Sequence, residues 1–232
     1  MRKKVLVSVT TIHDADWQKQ IEDIQSQNIK EIALFVTGLD QQERQACYQL
    51  LEKIPGLEIP FSHIRSDVDE TEINYLQSQF GTKKFNLHPA RQYPQFDYPK
   101  AIKNQIYIEN ASYGLCEEDI EGFAGICLDL SHLRNFQLTR LDEYQNVIQL
   151  LTRFPAGANH VSAIWPKRHL DPLDNLAHFD KHEFSDLSQF DYLKDFPGEY
   201  FAEHIAIELS NPIKDQLEAK VYIENILKDK LG

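Results

Sequence analysis

The chain has 232 residues, 42% of them hydrophobic and 11% aromatic, ample for a packed core and consistent with one domain spanning 1–232. Its net charge of -12 argues against a broad nucleic-acid-binding face, although divalent cations held in a cleft would offset carboxylates locally. No apolar run approaches the ~20 residues that cross a bilayer; the basic start Met1-Arg2-Lys3-Lys4 leads into a strand and not a signal peptide, and Cys47, Cys116 and Cys127 form no CxxC pair, so a cytoplasmic protein with reduced thiols is expected.

In chain order, the apolar run 5–10 alternates toward Ser8 and Thr10 and predicts a first strand. A helix follows over 14–27, with Trp17, Ile21 and Ile24 on one face. The run 32–36 is a second strand, and the helix over 40–54 has Asp40 as its cap and Pro55-Gly56 at its end. The third strand, 59–63, ends on His63, and its helix over 67–80 is closed by Gly81. The fourth, 85–88, ends on His88, where Pro89 stops it; a short helix over 97–103 follows. The fifth, 106–109, ends on Glu109 and leads to a shorter helix over 117–123. The sixth, 126–129, ends on Asp129, with His132 three residues on where the chain turns outward. A full helix is expected over 139–154, with Leu141, Val147, Leu150 and Leu151 facing inward. The seventh strand, 160–164, carries His160 and precedes a long aromatic, charged insertion over 165–183. A helix over 186–194, a strand over 205–208 ending on Glu208, and a helix over 212–230 that opens with Pro212 complete the series.

Eight strands in this rhythm predict an α/β fold, a (β/α)8 barrel, whose active site lies where the C-terminal strand ends converge. His63, His88, Glu109, Asp129, His160 and Glu208 are therefore expected at one place. Either glutamate alone is as easily a mouth carboxylate in a structural ion pair. A lone strand histidine is more often structural than a ligand, and the argument rests on their accumulation. Histidine and carboxylate without cysteine suit zinc, manganese or magnesium. Long loops inside a domain are usually functional or disordered, and this insertion holds His169, His178, Asp180 and His182. Asp180-Lys181-His182 gains weight only if the barrel brings it over the mouth. His13, His169, His178 and His204 read as structural or peripheral, His204 near the opposite face.

Taken together, Asn86-Leu87-His88-Pro89, Ile108-Glu109-Asn110, Asp129-Leu130-Ser131-His132, Asn159-His160-Val161, Asp180-Lys181-His182 and Ile207-Glu208 resemble the xylose-isomerase-like TIM-barrel superfamily. Within it the set looks most like endonuclease IV, the family 2 apurinic/apyrimidinic endonucleases. That resemblance implies up to three zinc ions. Glu109 and Glu208 would bridge, His63 and His88 would serve one ion, Asp129 and His160 a second, and His132, Asp180 and His182 a third. It implies hydrolysis of a phosphodiester, abasic-site DNA in particular, by a metal-activated water. Arg134, Lys167 or Arg168 would steady flanking phosphates, unless each is a solvated surface charge. The sister branch, the sugar isomerases and epimerases, looks similar in Glu109, Asp129, His160 and Glu208. There the four hold one manganese-type or magnesium ion, the two glutamates exchange a substrate proton, and a histidine like His132 contacts the sugar. A barrel that keeps its mouth residues only for binding is a third alternative.

Overall fold

Short runs of β-branched and aliphatic residues, buried on both faces, set the strands of a parallel sheet. The computed structural model describes residues 3–12, 15–170 and 175–231, so His13 lies outside the described residues. β1 (Lys4–Leu6) and β2 (Ser8–Thr10) are two halves of one stave interrupted at Val7. β3 (Glu31–Phe35), β4 (Glu58–His63), β5 (Lys84–Leu87), β6 (Ile106–Glu109), β7 (Gly125–Asp129), β8 (Ala156–Val161) and β11 (His204–Ile207) supply the others. The order is β1-β11-β8-β7-β6-β5-β4-β3-β2, and every neighbouring pair is parallel. β1 pairs with β11 while β2 pairs with β3, so the broken first stave closes the ring. The fold is the expected α/β TIM-type barrel.

The pleat decides what the barrel encloses. Side chains alternate faces along a strand, so inward positions recur every second residue. Leu6, Ala33, Phe35, Phe61, Cys127, Ala158 and Ala206 form an enclosed plug against Tyr107. Large rings face small neighbours there, as a filled barrel requires. Two residues after Phe61, Tyr107, Cys127, Ala158 and Ala206 come His63, Glu109, Asp129, His160 and Glu208. Each therefore points into the same axial space one layer higher. Val5, Ile32, Leu34, Ile59, Phe85, Ile108, Ile126 and Ile205 face outward into the main core beneath the helices.

The outer helices begin where capping chemistry allows. Asp40 forms a capping box with Glu43 at α2 (Gln41–Leu51), and Asp69 caps α3 (Glu70–Phe80). Gly81 ends α3 in the left-handed conformation, φ 68°. α1 (Trp17–Ser26) starts at an Asp16 cap, α4 (Lys100–Lys103) and α5 (Glu117–Ile120) are single turns, and α8 (Ile213–Leu231) completes the ring.

Three local expectations are corrected. The helix expected over 139–154 is α7 (Leu141–Leu151), and a helix that was not expected, α6 (Leu130–Thr139), precedes it, the two divided at Arg140 (φ -145°, ψ 77°). α6 starts directly from Asp129, whose carboxylate accepts from His132 N–H at 2.8 Å. Leu141 consequently opens a new helix and is 56% exposed, not inward. The insertion over 165–183 forms an antiparallel hairpin, β9 (Ala163–Leu170) with β10 (Ala177–Lys181). The seventh run is thus divided at Ser162, whose hydroxyl bonds Ser131 and whose carbonyl accepts from Tyr192. The helix expected over 186–194 is a 3-10 helix, Leu187–Asp195. No helix among the described residues is long and apolar enough to cross a membrane.

One glycine holds the loop after β3 against the first stave. Gly38 N–H donates to Thr11 Oγ1 at 3.1 Å, and a Cβ there would fall 1.9 Å from the Thr11 carbonyl oxygen. The obstacle is backbone, which cannot swing aside. Gly38→Ala is expected to cost about 1–3 kcal/mol by overpacking. Thermal unfolding would show this as a drop of roughly 2–4 °C per kcal/mol; an unchanged midpoint would contradict the close approach.

Candidate metal centre

Above the plug, Phe35 supports the floor of the site, its ring centroid 4.8 Å from His160 and 5.7 Å from His63. On this floor the tips of β6, β7, β8 and β11 bring together Glu109, Asp129, His160 and Glu208. One ligand atom from each lies within 4.8 Å of the others, and all four residues are buried. His160 Nδ1 is 3.3 Å from Glu109, 3.4 Å from Glu208 and 3.9 Å from Asp129. His63 joins from β4, its Nδ1 3.6 Å from Glu109, and His88 just beyond β5 has Nε2 3.8 Å from the same oxygen.

The surrounding groups aim these ligands. Asp129 Oδ1 accepts from the Ser131 hydroxyl and from His132 N–H, which leaves Oδ2 turned toward His160. Asn110 fixes the β7 tip with a reciprocal pair, Nδ2 to Asp129 O at 3.0 Å and Asp129 N to Oδ1 at 2.7 Å. Asp129 Oδ2, His160 Nδ1 and both ring nitrogens of His63 are nevertheless buried without a hydrogen-bond partner. A buried polar atom left unpaired costs free energy. Four such atoms converging among carboxylates match what a divalent cation would satisfy. The donor set, imidazole and carboxylate with no thiolate, suits such an ion.

Protons alone balance the cluster differently. Burial, then the carboxylates of Glu109 and Asp129, push Glu208 up to about 8 against the pull of His160. Glu109 is equally buried, but His160 and His63 beside it hold its carboxyl well below the usual range. Burial opposes a charge on His160, yet Cys127 and Glu109 raise it well above an ordinary imidazole. Burial lowers His63 and His88.

A second group lies beside the first. The hairpin folds inward over the mouth, anchored to α6 by Asn135 Oδ1 accepting from Phe179 N–H at 3.0 Å. It brings Asp180 Oδ2 to 2.9 Å from His132 Nδ1. His178 was expected to be peripheral but contacts Asp180 at 3.2 Å, and it joins His132 and Asp180 as the third possible ligand. His182 instead turns toward Glu208, 3.8 Å from its carboxylate, with its ring 6.4 Å from that of His132. His132 Nε2 also lies 3.8 Å from Glu109, so the two groups adjoin.

The cavity above these residues measures about 1010 Å³. His63, His88, Glu109, His132, Asp180, His182 and Glu208 line it, together with Tyr93, Tyr113 and His169. Arg134, Lys167 and Arg168, expected to meet phosphates, are not on its wall. Arg134 is engaged by Gln137 and by Asp195 at 3.4 Å, and Lys167 and Arg168 are exposed on β9. The described cations of the lining are Arg65 and Lys181. Each already has an acidic neighbour, Asp67 at 3.5 Å and Glu183 at 2.8 Å. His204 begins β11 at the opposite end, as expected.

Three residues escaped the sequence reading. Asn86 shares the inward face of β5 with His88 two residues later, and the period-two rule alone would have found it. Arg65 follows the β4 tip and had the same positional signal. His178 had no comparable signal, because its approach depends on how the hairpin folds.

No family model matches the chain, and no curated protein matches it either. Solved structures do. A xylose isomerase domain protein from Planctomyces limnophilus superposes with TM-score 0.52 at 12% identity, over 99% of this chain and 98% of that one. A xylose isomerase-like TIM barrel protein from Mycobacterium smegmatis, in complex with magnesium, gives 0.48 at 12% identity over 98% and 97%. A 3-keto-D-glucoside 4-epimerase from E. coli gives 0.43 at 10% identity over 97% and 99%. The first of these supports the fold alone, a TIM-type barrel similar to that structure's. It does not single out the endonuclease branch.

Proposed function

We propose that this protein is a divalent-metal-dependent isomerase or epimerase of a small sugar or sugar phosphate. The observation that carries the reading is the quartet Glu109, Asp129, His160 and Glu208, with ligand atoms mutually within 4.8 Å and two glutamates among them. A divalent ion held by the four would polarise a substrate carbonyl or hydroxyl as a Lewis acid. Glu109 and Glu208 sit on either side of His160 Nδ1, at 3.3 and 3.4 Å, and face the same cavity. One glutamate as carboxylate takes the proton from the carbon beside the carbonyl, and the other as acid returns one to the neighbouring carbon or the opposite face. Asp129, held by Ser131 and by the first turn of α6, would serve as a ligand. His132, bound to Asp180, is placed to hydrogen-bond a sugar hydroxyl. Tyr93 and Tyr113 offer apolar ring faces to a pyranose or open-chain polyol. Since both rim cations already face carboxylates, of these two substrate classes the free sugar fits better than its dianionic phosphate ester.

A second reading, an endonuclease IV-like phosphodiester hydrolase using a metal-activated water, is favoured by one observation. His63, His88, His132, Asp180 and His182 all approach the quartet or its neighbour group, more ligands than one ion needs. The two readings separate on substrate. Under the proposal, incubation in heavy water with a panel of free and phosphorylated ketoses and aldoses, with manganese, magnesium or zinc, gives metal-dependent deuterium uptake at carbon. Cleavage of abasic-site DNA with no exchange into any sugar would overturn it in favour of the hydrolase.

A further inference from the structure

We infer that Asn86 is a positioning residue: it holds the His160 imidazole in the tautomer protonated on Nε2, so that the Nδ1 lone pair faces the ion. The inference rests on the metal reading above for the ion, and on hydrogen-bond geometry for the ring. Asn86 lies inward on β5, fully buried, between the two ligands. Its Nδ2 donates to Glu109 Oε2 at 2.9 Å, and its Oδ1 lies 3.2 Å from His160 Nε2.

Chemistry fixes the direction of this relay. A carboxylate only accepts, so the amide must present its NH2 to Glu109. Its carbonyl oxygen is then the group facing His160, and that oxygen can only accept. His160 Nε2 must therefore carry the proton. The other nitrogen, Nδ1, is left among Glu109, Glu208 and Asp129 with no hydrogen-bond partner. A lone pair among carboxylates is unfavourable unless a positive charge lies between them. A metal-binding histidine generally donates its other N–H to a partner that sets its orientation, and loss of that partner typically weakens metal affinity 10–100-fold. Asn86 supplies that partner here, and through its NH2 it orients Glu109 with the same side chain.

The test has two readouts besides turnover. Long-range 1H–15N spectra of protein labelled at histidine, taken without metal at a pH where the imidazoles are neutral, report the protonated nitrogen of His160. Titration with zinc or manganese reports affinity. Wild type is expected to show a proton on Nε2. Asn86→Leu removes both hydrogen bonds at similar volume, and is expected to lose that preference and bind metal 10–100-fold more weakly. Asn86→Asp keeps the acceptor, so the Nε2 proton is expected to persist; this variant decides the matter if the leucine variant does not fold. A neutral His160 ring with its proton on Nδ1, in wild type or in Asn86→Asp, would overturn the assignment. So would Asn86→Leu with wild-type tautomer and affinity. Wild-type protein with the proton on Nε2 that binds neither ion would overturn the metal reading and the ligand role of Nδ1 with it, and the ring spectrum tells this from a wrong tautomer.

Discussion

Replacing Glu208 with glutamine is expected to lower turnover by about 10²–10⁴-fold, the contribution of a positioned acid or base, while leaving the fold intact. Gln keeps the shape of the side chain but can neither give nor take a proton. The packing at this point comes from Ile205 and Ile207, both fully buried and facing the outer core. The sign of the stability effect follows from the direction of the shift. Burial and the adjacent carboxylates push Glu208 up to about 8, so in the folded protein without metal it holds its proton through neutrality. A carboxyl whose folded pKa is raised favours the folded state at low pH. That contribution is lost as pH rises from the ordinary carboxylate range through about 8. Gln imitates the protonated form, so Glu208→Gln should match wild-type stability only below the ordinary carboxylate range of about 4, exceed it by about pH 6, and exceed it most above about pH 8. In the isomerase reading, added metal does not restore turnover, because the exchanging group itself is gone. In the hydrolase reading, weakened bridging is the defect and added metal restores part of the rate. Undiminished turnover of the accepted substrate would remove Glu208 from the chemistry in both.

The second large effect is on stability. A ligand that binds only the folded chain at 1,000 times its dissociation constant stabilises it by about 4.1 kcal/mol. For a chain of this size that is a rise in unfolding midpoint of roughly 8–16 °C. Zinc or manganese is expected to produce it, and a chelator to reverse it, because Glu109, Asp129, Asp180 and Glu208 are buried together and Asp129 Oδ2, His160 Nδ1 and both ring nitrogens of His63 have no hydrogen-bond partner. The rise should depend on pH. Metal must displace protons from Glu208 and His160, both held more tightly than in an isolated residue. The metal-induced shift should therefore grow as pH rises through about 8 and shrink in acid. A midpoint indifferent to divalent ions across that range would contradict the proposed site.

Much of this arrangement was legible before the structure. Period-two alternation in strands and ring closure in barrels are strong constraints, so an apolar run ending in Glu109 or Asp129 aims that carboxylate inward whatever the loops do. His63 and His88 followed by the same rule. What sequence could not resolve depends on tertiary contacts. Residues 130–139 form α6, a helix not expected from the sequence, and Arg140 separates it from α7. Leu141 shares the apolar spacing of α7 but opens its first turn, beside the break at Arg140, and is exposed there. The insertion over 165–183 carries a turn signal at Asp171-Pro172, but nothing in its sequence sets how the hairpin lies on the barrel, and the pairing of β9 with β10 brings His178, not only His182, to the mouth. Lys167 and Arg168 suggested phosphate contacts by charge alone, but they lie on opposite faces of β9 and both are exposed. Asn86 was passed over because an amide is not a metal-ligand type. Its value lies in the two hydrogen bonds it makes to ligands on neighbouring strands.

The measurement that bears most directly on the central claim is metal content per chain in purified wild type, beside Glu109→Gln and Asp129→Asn. The account predicts close to one tightly held divalent ion per wild-type chain and much less in either variant, because both residues belong to the one quartet. No bound ion in wild type, or full retention in both variants, would contradict a metal centre at Glu109, Asp129, His160 and Glu208; close to three ions would contradict the single-ion isomerase and favour the hydrolase.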